Sequence, residues 1–487
     1  MLKVLFASPE VVPFAKTGGL ADVAGSLPAA LKELGCDVRV IMPFYKMVET
    51  QAKERKLVAE NIEVSVGDKM FAGDVWETAL GGTIPVYLVK CDEFYDRSSL
   101  YGTPKGDYRD NAERFIFFSR CALEFCMKSG FAPDVIHGHD WQVGLMPAYL
   151  KTLYSGDKEF QRTGTVFTIH NIAYQGVFPR EAFRLTGLPE SLFSIEGLEY
   201  YGQMCLLKSA LMFSDIINTV SKKYSEEIQT PEYGYGMEGI LERRQSDIYG
   251  ILNGVDYSEW SPEADTYTAA HYNASDLSGK QKCKEDLLRE YGLPEALSTR
   301  PILGVISRLA DQKGFNLLAD IIDELMAMDI GFVLLGNGEQ KYHDLFERIA
   351  RQYPKKAGIK IAYNNSLAHK IEAGSDMFLM PSRYEPCGLN QIYSLKYATV
   401  PIVRATGGLD DTIIDYSETD GSGNGFKFTD YNAREFMRTI QRALKLFEDK
   451  RKWQKLMKNC MSYDFSWKQS AAQYVELYKK AIAKKGF

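Results

Sequence analysis

Short apolar runs recur along the chain, each followed by a glycine or polar turn and then by apolar positions at helical spacing. In the first half they are LKVLFA (2–7), DVRVIMP (37–43), DVIHGHD (134–140), TVFTIHN (165–171) and DIINTVS (215–221). A second series comprises ILGVIS (302–307), GFVLLGNG (331–338), IKIAY (359–363), DMFLMPS (376–382) and VPIVRA (400–405). Runs that stay apolar at consecutive positions read as strands buried on both faces, which implies parallel strands joined by crossover helices. The pattern therefore predicts an α/β chain with two doubly wound domains. Between the two series, ILNGVDYSEWSPEAD (251–265) carries Asn-Gly, Ser-Pro and acidic residues, the chemistry of turns and linkers. The expected organisation is a first domain over 1–250, a linker over 251–265, a second domain over 266–465 and a C-terminal segment, 466–487. In that segment WKQSAAQYVELYKKAIAKK (467–485) has apolar positions at helical spacing with lysines opposite, which predicts an amphipathic helix packed back on the first domain.

Composition narrows the class. The 487 residues exceed what one core holds, and 45% hydrophobic with 25% charged residues is ordinary for a globular protein. With 58 basic against 64 acidic residues and a net charge of −6, the chain lacks the basic footprint of a nucleic-acid binder. Its eight cysteines form no CxxC pair, so neither a zinc site nor a disulfide framework is suggested, and a reducing cytoplasm fits. The opening MLKVLFASPEVVPF has its apolar run cut short by Ser8-Pro9-Glu10, and no window approaches the roughly eighteen apolar residues of a membrane span. The expectation is a soluble, cytoplasmic protein with neither membrane nor nucleic acid as partner.

One motif occurs twice. KTGGLADV (16–23) and ATGGLDDT (405–412) both follow a strand of the parallel series and open a helical pattern. Glycines at such a turn let the backbone approach an anion, and the helix start supplies free N–H groups and partial positive charge. Lys16 adds a full charge. Neither GxGxxG nor GxxxxGK[ST] occurs, so this is neither a dinucleotide fingerprint nor a Walker loop. A tight structural turn and a phosphate or sugar site both remain open.

Other candidates fall in the same position. Arg308 ends one strand and Lys313 opens the helix after it, so two cations lie at the carboxyl edge of a parallel sheet, where open α/β folds bind ligands; they suit a diphosphate or are solvated surface charges. In PSRYEPCGLNQ (381–391), Glu385, fixed by Pro386, can hold sugar hydroxyls, and the helix start at Cys387, Gly388 and Leu389 can receive an oxyanion. Cys387 has no nearby histidine in sequence to activate it and reads as a backbone donor. His139 with Asp140, and His170, end two strands of the first series. With only six histidines and no acidic third ligand at metal spacing, metal ligation is a poor reading; His170 is a candidate substrate contact or a hydrogen-bonded core residue. The convergence of these groups on strand ends suggests an enzyme whose two domains close a cleft on an anionic donor and a second substrate.

The motifs KTGGLADVAGSLP, HGHDWQVGL, TIHNIAYQG, TVSKKYSEEI, LNGVD, SRLADQKG, PSRYEPCGLNQIYSLKYATVPIVRATGGLDDT and SWKQSAAQYVELY run the length of the chain. Together they closely resemble the bacterial glycogen synthases, related to plant starch synthases. The resemblance implies a GT-B fold of two Rossmann-like domains with an interdomain cleft. It also implies a retaining glycosyltransferase that moves glucose from ADP-glucose to the nonreducing 4-hydroxyl of an α-1,4-glucan, with no metal and no other cofactor. On that reading Arg308 and Lys313 neutralise the departing ADP, and Lys16, Gly18 and Gly19 close over the phosphates or donor sugar. Glu385 with Cys387, Gly388 and Leu389 orients the glucose, His170 lies against it, and Gly407 and Gly408 approach from the other side. Asp22, Tyr95, His139 and Asp140 fall in matching stretches. Many retaining transferases of this fold carry two glutamates separated by seven residues; here the second position is Tyr393, so attack on the face from which ADP leaves is favoured over double displacement. The alternatives are a glucosyltransferase of the same fold using UDP-glucose or a small acceptor, and a catalytically silent glucan- or sugar-nucleotide-binding protein.

Overall fold

The computed structural model describes residues 1–103 and 105–486; Pro104 and Phe487, the last residue of the 466–487 segment, lie outside the described residues. The chain divides into two compact units. The first holds residues 1–220, 225–254 and the C-terminal stretch from Trp467 onward, and the second holds 221–224 and 255–466.

The first unit is built on nine strands: β1 (Lys3–Ala7), β2 (Asp37–Pro43), β3 (Lys56–Val66), β4 (Lys69–Leu80), β5 (Ile84–Lys90), β6 (Val135–His139), β7 (Gly164–Ile169), β8 (Ile216–Thr219) and β9 (Ile248–Gly250). Their order is β9-β8-β7-β6-β1-β2-β5-β4-β3. All neighbours from β9 to β5 pair in parallel, whereas β4 runs antiparallel to both β5 and β3. The five runs expected here are all present as parallel strands. β5 extends that set by one, and the β3–β4 hairpin was not expected, because β3 exposes much of one face and so lacks a continuous apolar run. Val4, Leu5, Phe6 and Ala7 of β1 are fully buried, as a central parallel strand requires. Helix α1 (Gly19–Glu33) follows β1, and α2 (Asn111–Ser129) lies against β3.

The C-terminal helix Trp467–Ala483 packs on β7 and α1 within this unit. Its Tyr474 and Tyr478 are wholly buried, and each places its hydroxyl on a sheet residue. Asn218 donates to Tyr474 at 3.0 Å, and Tyr478 meets His137 Nδ1 at 2.9 Å. An aromatic side chain buried with its polar end satisfied contributes packing without a desolvation penalty.

The second unit has six parallel strands, β10 (Ile302–Leu309), β11 (Gly331–Gly338), β12 (Ala357–Ile361), β13 (Met377–Met380), β14 (Val400–Arg404) and β15 (Phe426–Phe428), in the order β12-β11-β10-β13-β14-β15. One face packs Leu303, Phe332, Leu334 and Met377 against Leu318, Ile322 and Leu325 of α3 (Phe315–Ala327). The other packs Ile302, Val333 and Leu335 against Leu287 and Ile371. Burial on both faces is why these strands are apolar without alternation. In each unit the strand order reverses beside the first strand of the parallel series: β1 lies between β2 and β6, and β10 between β11 and β13.

Replacing Tyr474 or Tyr478 by Ala removes a buried ring from this sheet-to-helix contact and should cost about 3–5 kcal/mol, as other large aromatic deletions do. Thermal unfolding would show it as a Tm loss of at least about 6 °C. A loss under 2 °C would mean that the helix contributes little to the unit.

Candidate functional site

The loop between β1 and α1 is organised by a residue that the sequence did not single out. Glu10 is buried, and its carboxylate accepts the Thr17 N–H at 2.5 Å, the Thr17 hydroxyl at 2.5 Å, the Gly18 N–H at 3.3 Å and the Tyr101 hydroxyl at 2.7 Å. An internal anion thus already occupies two amides of the glycine turn. The available signal is an acid three positions after the strand end, in the Ser8-Pro9-Glu10 stretch that breaks the apolar run. Above this anchor Lys16 Nζ meets Asp22 Oδ1, in the first turn of α1, at 2.6 Å. Burial pushes the Asp22 carboxyl up from its ordinary range, and Lys16 offsets part of that rise.

The carboxyl ends of β6 and β7 bring His139, Asp140 and His170 together. His139 Nδ1 lies 2.9 Å from His170 Nε2, and Asp140 Oδ1 accepts the His170 main-chain N–H at 2.8 Å. His139 stacks on Phe6 of β1 with ring centres 4.1 Å apart, so the pair sits at the strand-order reversal. Burial holds His170 down to about 3 and pushes Asp140 up to about 7. His139 and His137 are lowered as well, chiefly by burial. All three rings are neutral at pH 7. Tyr95 does not join this group: it is buried, and its hydroxyl donates to the Arg114 carbonyl at 2.8 Å inside the core.

In the second unit, Arg308 is the exposed penultimate residue of β10 and donates to Gln312 at 3.0 Å. Lys313 Nζ binds both oxygens of Glu385, at 2.9 and 2.6 Å, and Ser382 donates to the same carboxylate at 3.0 Å. Glu385 is 5% exposed and Lys313 is half-buried, so the carboxylate lies inside with its acceptor capacity largely used while its cation reaches the surface. The pair forms because β10 and β13 are neighbours, which sets residues 308–313 beside 382–385. The Arg383 N–H on the Gln312 carbonyl at 2.8 Å ties the two loops. A pocket at this edge is lined by Val305, Ser307, Lys313, Met380, Pro381 and Ser382 among others.

Cys387, Gly388 and Leu389 form the turn into α4 (Asn390–Lys396). Gln391 braces that turn by donating to the Cys387 and Gly388 carbonyls, each at 3.0 Å. Cys387 is buried. Gly407 and Gly408 open α5 (Gly407–Thr412) and press against the same turn from behind. The Gly408 N–H donates to the Glu385 carbonyl at 3.1 Å.

The two TGGL copies therefore differ in kind. A Cβ on Gly18 or Gly19 would meet nothing within 4 Å. On Gly407, where φ is +45°, it would lie 2.0 Å from the Glu385 carbonyl oxygen, and on Gly408 it would lie 1.9 Å from that of Cys387. The second pair is required by backbone contact; the first faces open space. Among the described residues, no three His, Cys, Asp or Glu side chains are grouped as a metal site, and no helix is long and apolar enough to cross a membrane.

Residues 3–243 match the starch synthase catalytic domain, and residues 294–459 match the glycosyl transferases group 1 domain. A glycogen synthase of Koribacter versatilis is 50% identical over 480 residues, covering 99% of this chain and 98% of its own. The chain belongs to the glycogen and starch synthase family. A second member, glycogen synthase 2 of Geobacter sulfurreducens, is 47% identical, with 99% of both chains covered. The catalytic domain of starch synthase IV from Arabidopsis thaliana, solved bound to ADP and acarbose, superposes with a TM-score of 0.91 at 34% identity over 99% of each chain. The fold is GT-B, and it extends to a sucrose-phosphate synthase from Thermosynechococcus elongatus at 16% identity, TM-score 0.61, covering 99% of this chain and all of that one. In this synthase-family chain Tyr393, at the place of a second glutamate, stacks on Trp260 with ring centres 3.9 Å apart.

Two outcomes follow for the site. Gly19→Ala should leave Tm within about 2 °C, since it adds a methyl group to open space at a helix start, whereas Gly408→Ala should lower it by at least about 3 °C through overpacking; equal shifts would contradict the contrast. The buried histidines also set a pH dependence. An unfolded histidine takes up its proton near 6.5 and native His137 only near 3, so its contribution is intact above about pH 6.5 and is lost progressively as pH falls through that range. Asp140 works in the opposite sense, which makes a difference measurement necessary. The stability gap between wild type and His137→Gln should shrink by about 1.4 kcal/mol per pH unit as pH is lowered from 6 to 4; parallel urea-midpoint curves would exclude this.

Proposed function

We propose that the protein is a glycogen synthase that transfers glucose from ADP-glucose to the nonreducing 4-hydroxyl of an α-1,4-glucan, with retention of configuration and release of ADP in the cytoplasm. The observation that carries the reading is the Lys313–Glu385 pair beside Arg308 at the reversal point of the second sheet: two cations and a carboxylate at one edge. That set matches a substrate with a diphosphate at one end and sugar hydroxyls at the other. The C1–O bond to the diphosphate breaks with its electron pair passing to ADP, and the 4-hydroxyl attacks C1 on the same face. The hydroxyl proton goes to the departing phosphate oxygen.

Negative charge grows on the phosphate as the sugar becomes oxocarbenium-like, so cations fixed in advance lower the barrier more than they strengthen ground-state binding. Arg308 and Lys313 take that role, which makes a divalent metal unnecessary. Glu385, with the turn Cys387–Leu389, holds glucose hydroxyls. Lys16, Gly18 and Gly19 close over the donor, the open space at the two glycines leaving room for it. His170, neutral and 9% exposed, contacts the donor sugar as a hydrogen-bonding group rather than as a base. Asp140 supports it through its main-chain N–H, and Asp22 holds Lys16. Gly407 and Gly408 act behind the Glu385 turn. The reading requires groups from both units to engage the same donor molecule.

Glucose incorporation into glycogen from labelled ADP-glucose and, separately, UDP-glucose, each with and without EDTA, tests it. Transfer from ADP-glucose that survives EDTA is expected. Preference for UDP-glucose would overturn the donor assignment, and transfer from neither would overturn the activity. In the same assay Arg308→Ala or Lys313→Ala should lower kcat by roughly 10²–10³, the loss typical of removing one such stabilising group. A near-normal kcat with only a raised KM would assign these residues to binding alone.

A further inference from the structure

We infer that His139 is a positioning residue: it donates its one ring proton to His170 and so holds His170 as a neutral hydrogen-bond donor through Nδ1. The inference rests on the reading of His170 as a contact of the donor sugar. The two rings share one hydrogen bond, between His139 Nδ1 and His170 Nε2, so one of these nitrogens carries a proton and the other a lone pair. If His170 Nε2–H were the donor, neutral His139 would carry its proton on Nε2, which is buried and has no partner among the described residues. Orphaned buried N–H groups are among the rarest features of folded proteins, and unpaired acceptors are tolerated more readily. The reverse arrangement leaves only a ring lone pair at that point. Nothing around the pair offers a different proton arrangement. Phe6 covers one face of His139, and His137, 4.0 Å away centre to centre, has Nδ1 on Tyr478 and Nε2 on Thr168. Asp140 directs Oδ1 at the His170 main chain rather than at either ring. Glu10, the other acid whose charge reaches Asp140, is engaged by the β1–α1 loop. Burial keeps both rings from taking a second proton.

The consequence is chemical. A histidine whose Nε2 already accepts presents Nδ1–H alone, and that group bonds an uncharged sugar oxygen without competing for its proton. His139, fully buried behind His170, selects this state.

The test uses full-length protein labelled with ¹⁵N-histidine, with the His170 signals identified by their loss in His170→Gln. His170 is expected to show a protonated Nδ1 and a lone-pair Nε2; a protonated Nε2 would overturn the inference. Two further variants reverse or keep the donor. In His139→Asn the side-chain amide nitrogen stands where Nδ1 stood, and in His139→Asp an acceptor replaces it. The Nδ1–H tautomer should persist in the first and switch to Nε2–H in the second. An unswitched tautomer in a folded His139→Asp protein would also overturn the inference. If that variant does not fold, the native and His139→Asn spectra still decide. In the transfer assay His139→Asp should lower kcat at least roughly tenfold more than His139→Asn, toward the 10²–10³ loss of removing one preorganised hydrogen-bond donor. Tautomers that switch while the two rates stay equal would leave the role of His139 standing and remove His170 from the donor sugar.

Discussion

In a parallel sheet the chain must leave each strand at its carboxyl end and return by a crossover, and where successive crossovers depart in opposite directions the loops separate and leave a crevice. Both units of this protein have that point at the first strand of the series, beside β1 and beside β10. Every candidate group except Tyr95 is placed on or directly behind loops at strand ends, most of them next to these two points. The loop after β1 carries Lys16 and the glycines, the ends of β6 and β7 carry the histidine pair, and the loops after β10 and β13 carry Arg308, Lys313 and Glu385. Loop composition can vary there without disturbing the layers beneath, because the strands are held by burial on both faces.

The second common feature is that charge at these points is matched within the chain. Glu10 takes the amides of the first glycine turn, Asp22 takes Lys16, and Glu385 takes Lys313. A buried carboxylate without partners would be protonated or would destabilise the fold, so pairing is what allows acids and cations to coexist at a sheet edge. It also holds each side chain in one geometry, which a group acting on a developing charge requires. The histidines follow another route to the same end: burial makes them neutral, and hydrogen bonds set their direction.

Much of the parallel framework was legible in sequence because its signal is local. Ten apolar runs mark strands covered on both faces, and each is a strand in the structure. The β3–β4 hairpin escaped because one face of β3 meets solvent, and β9 and β15 because three residues are too few to show a period. The glycine, lysine and glutamate motifs were visible for the same local reason: each is a short stretch at the end of a run.

What the sequence determined by itself was the class of fold, the residue types at the strand ends and, through long motifs in order, the family. Only the tertiary structure decided which of those residues meet. That Lys313 pairs with Glu385 follows from β10 lying next to β13, and that His139 bonds His170 follows from β6 lying next to β7. Strand adjacency is set by crossovers tens of residues long and leaves no mark in any local window. The same holds for the two TGGL copies, identical in letters, of which one faces open space and the other is pressed against the carbonyls of Glu385 and Cys387. Glycine looks alike in both places because sequence records the absence of a side chain, and only the surrounding backbone shows what that absence makes room for.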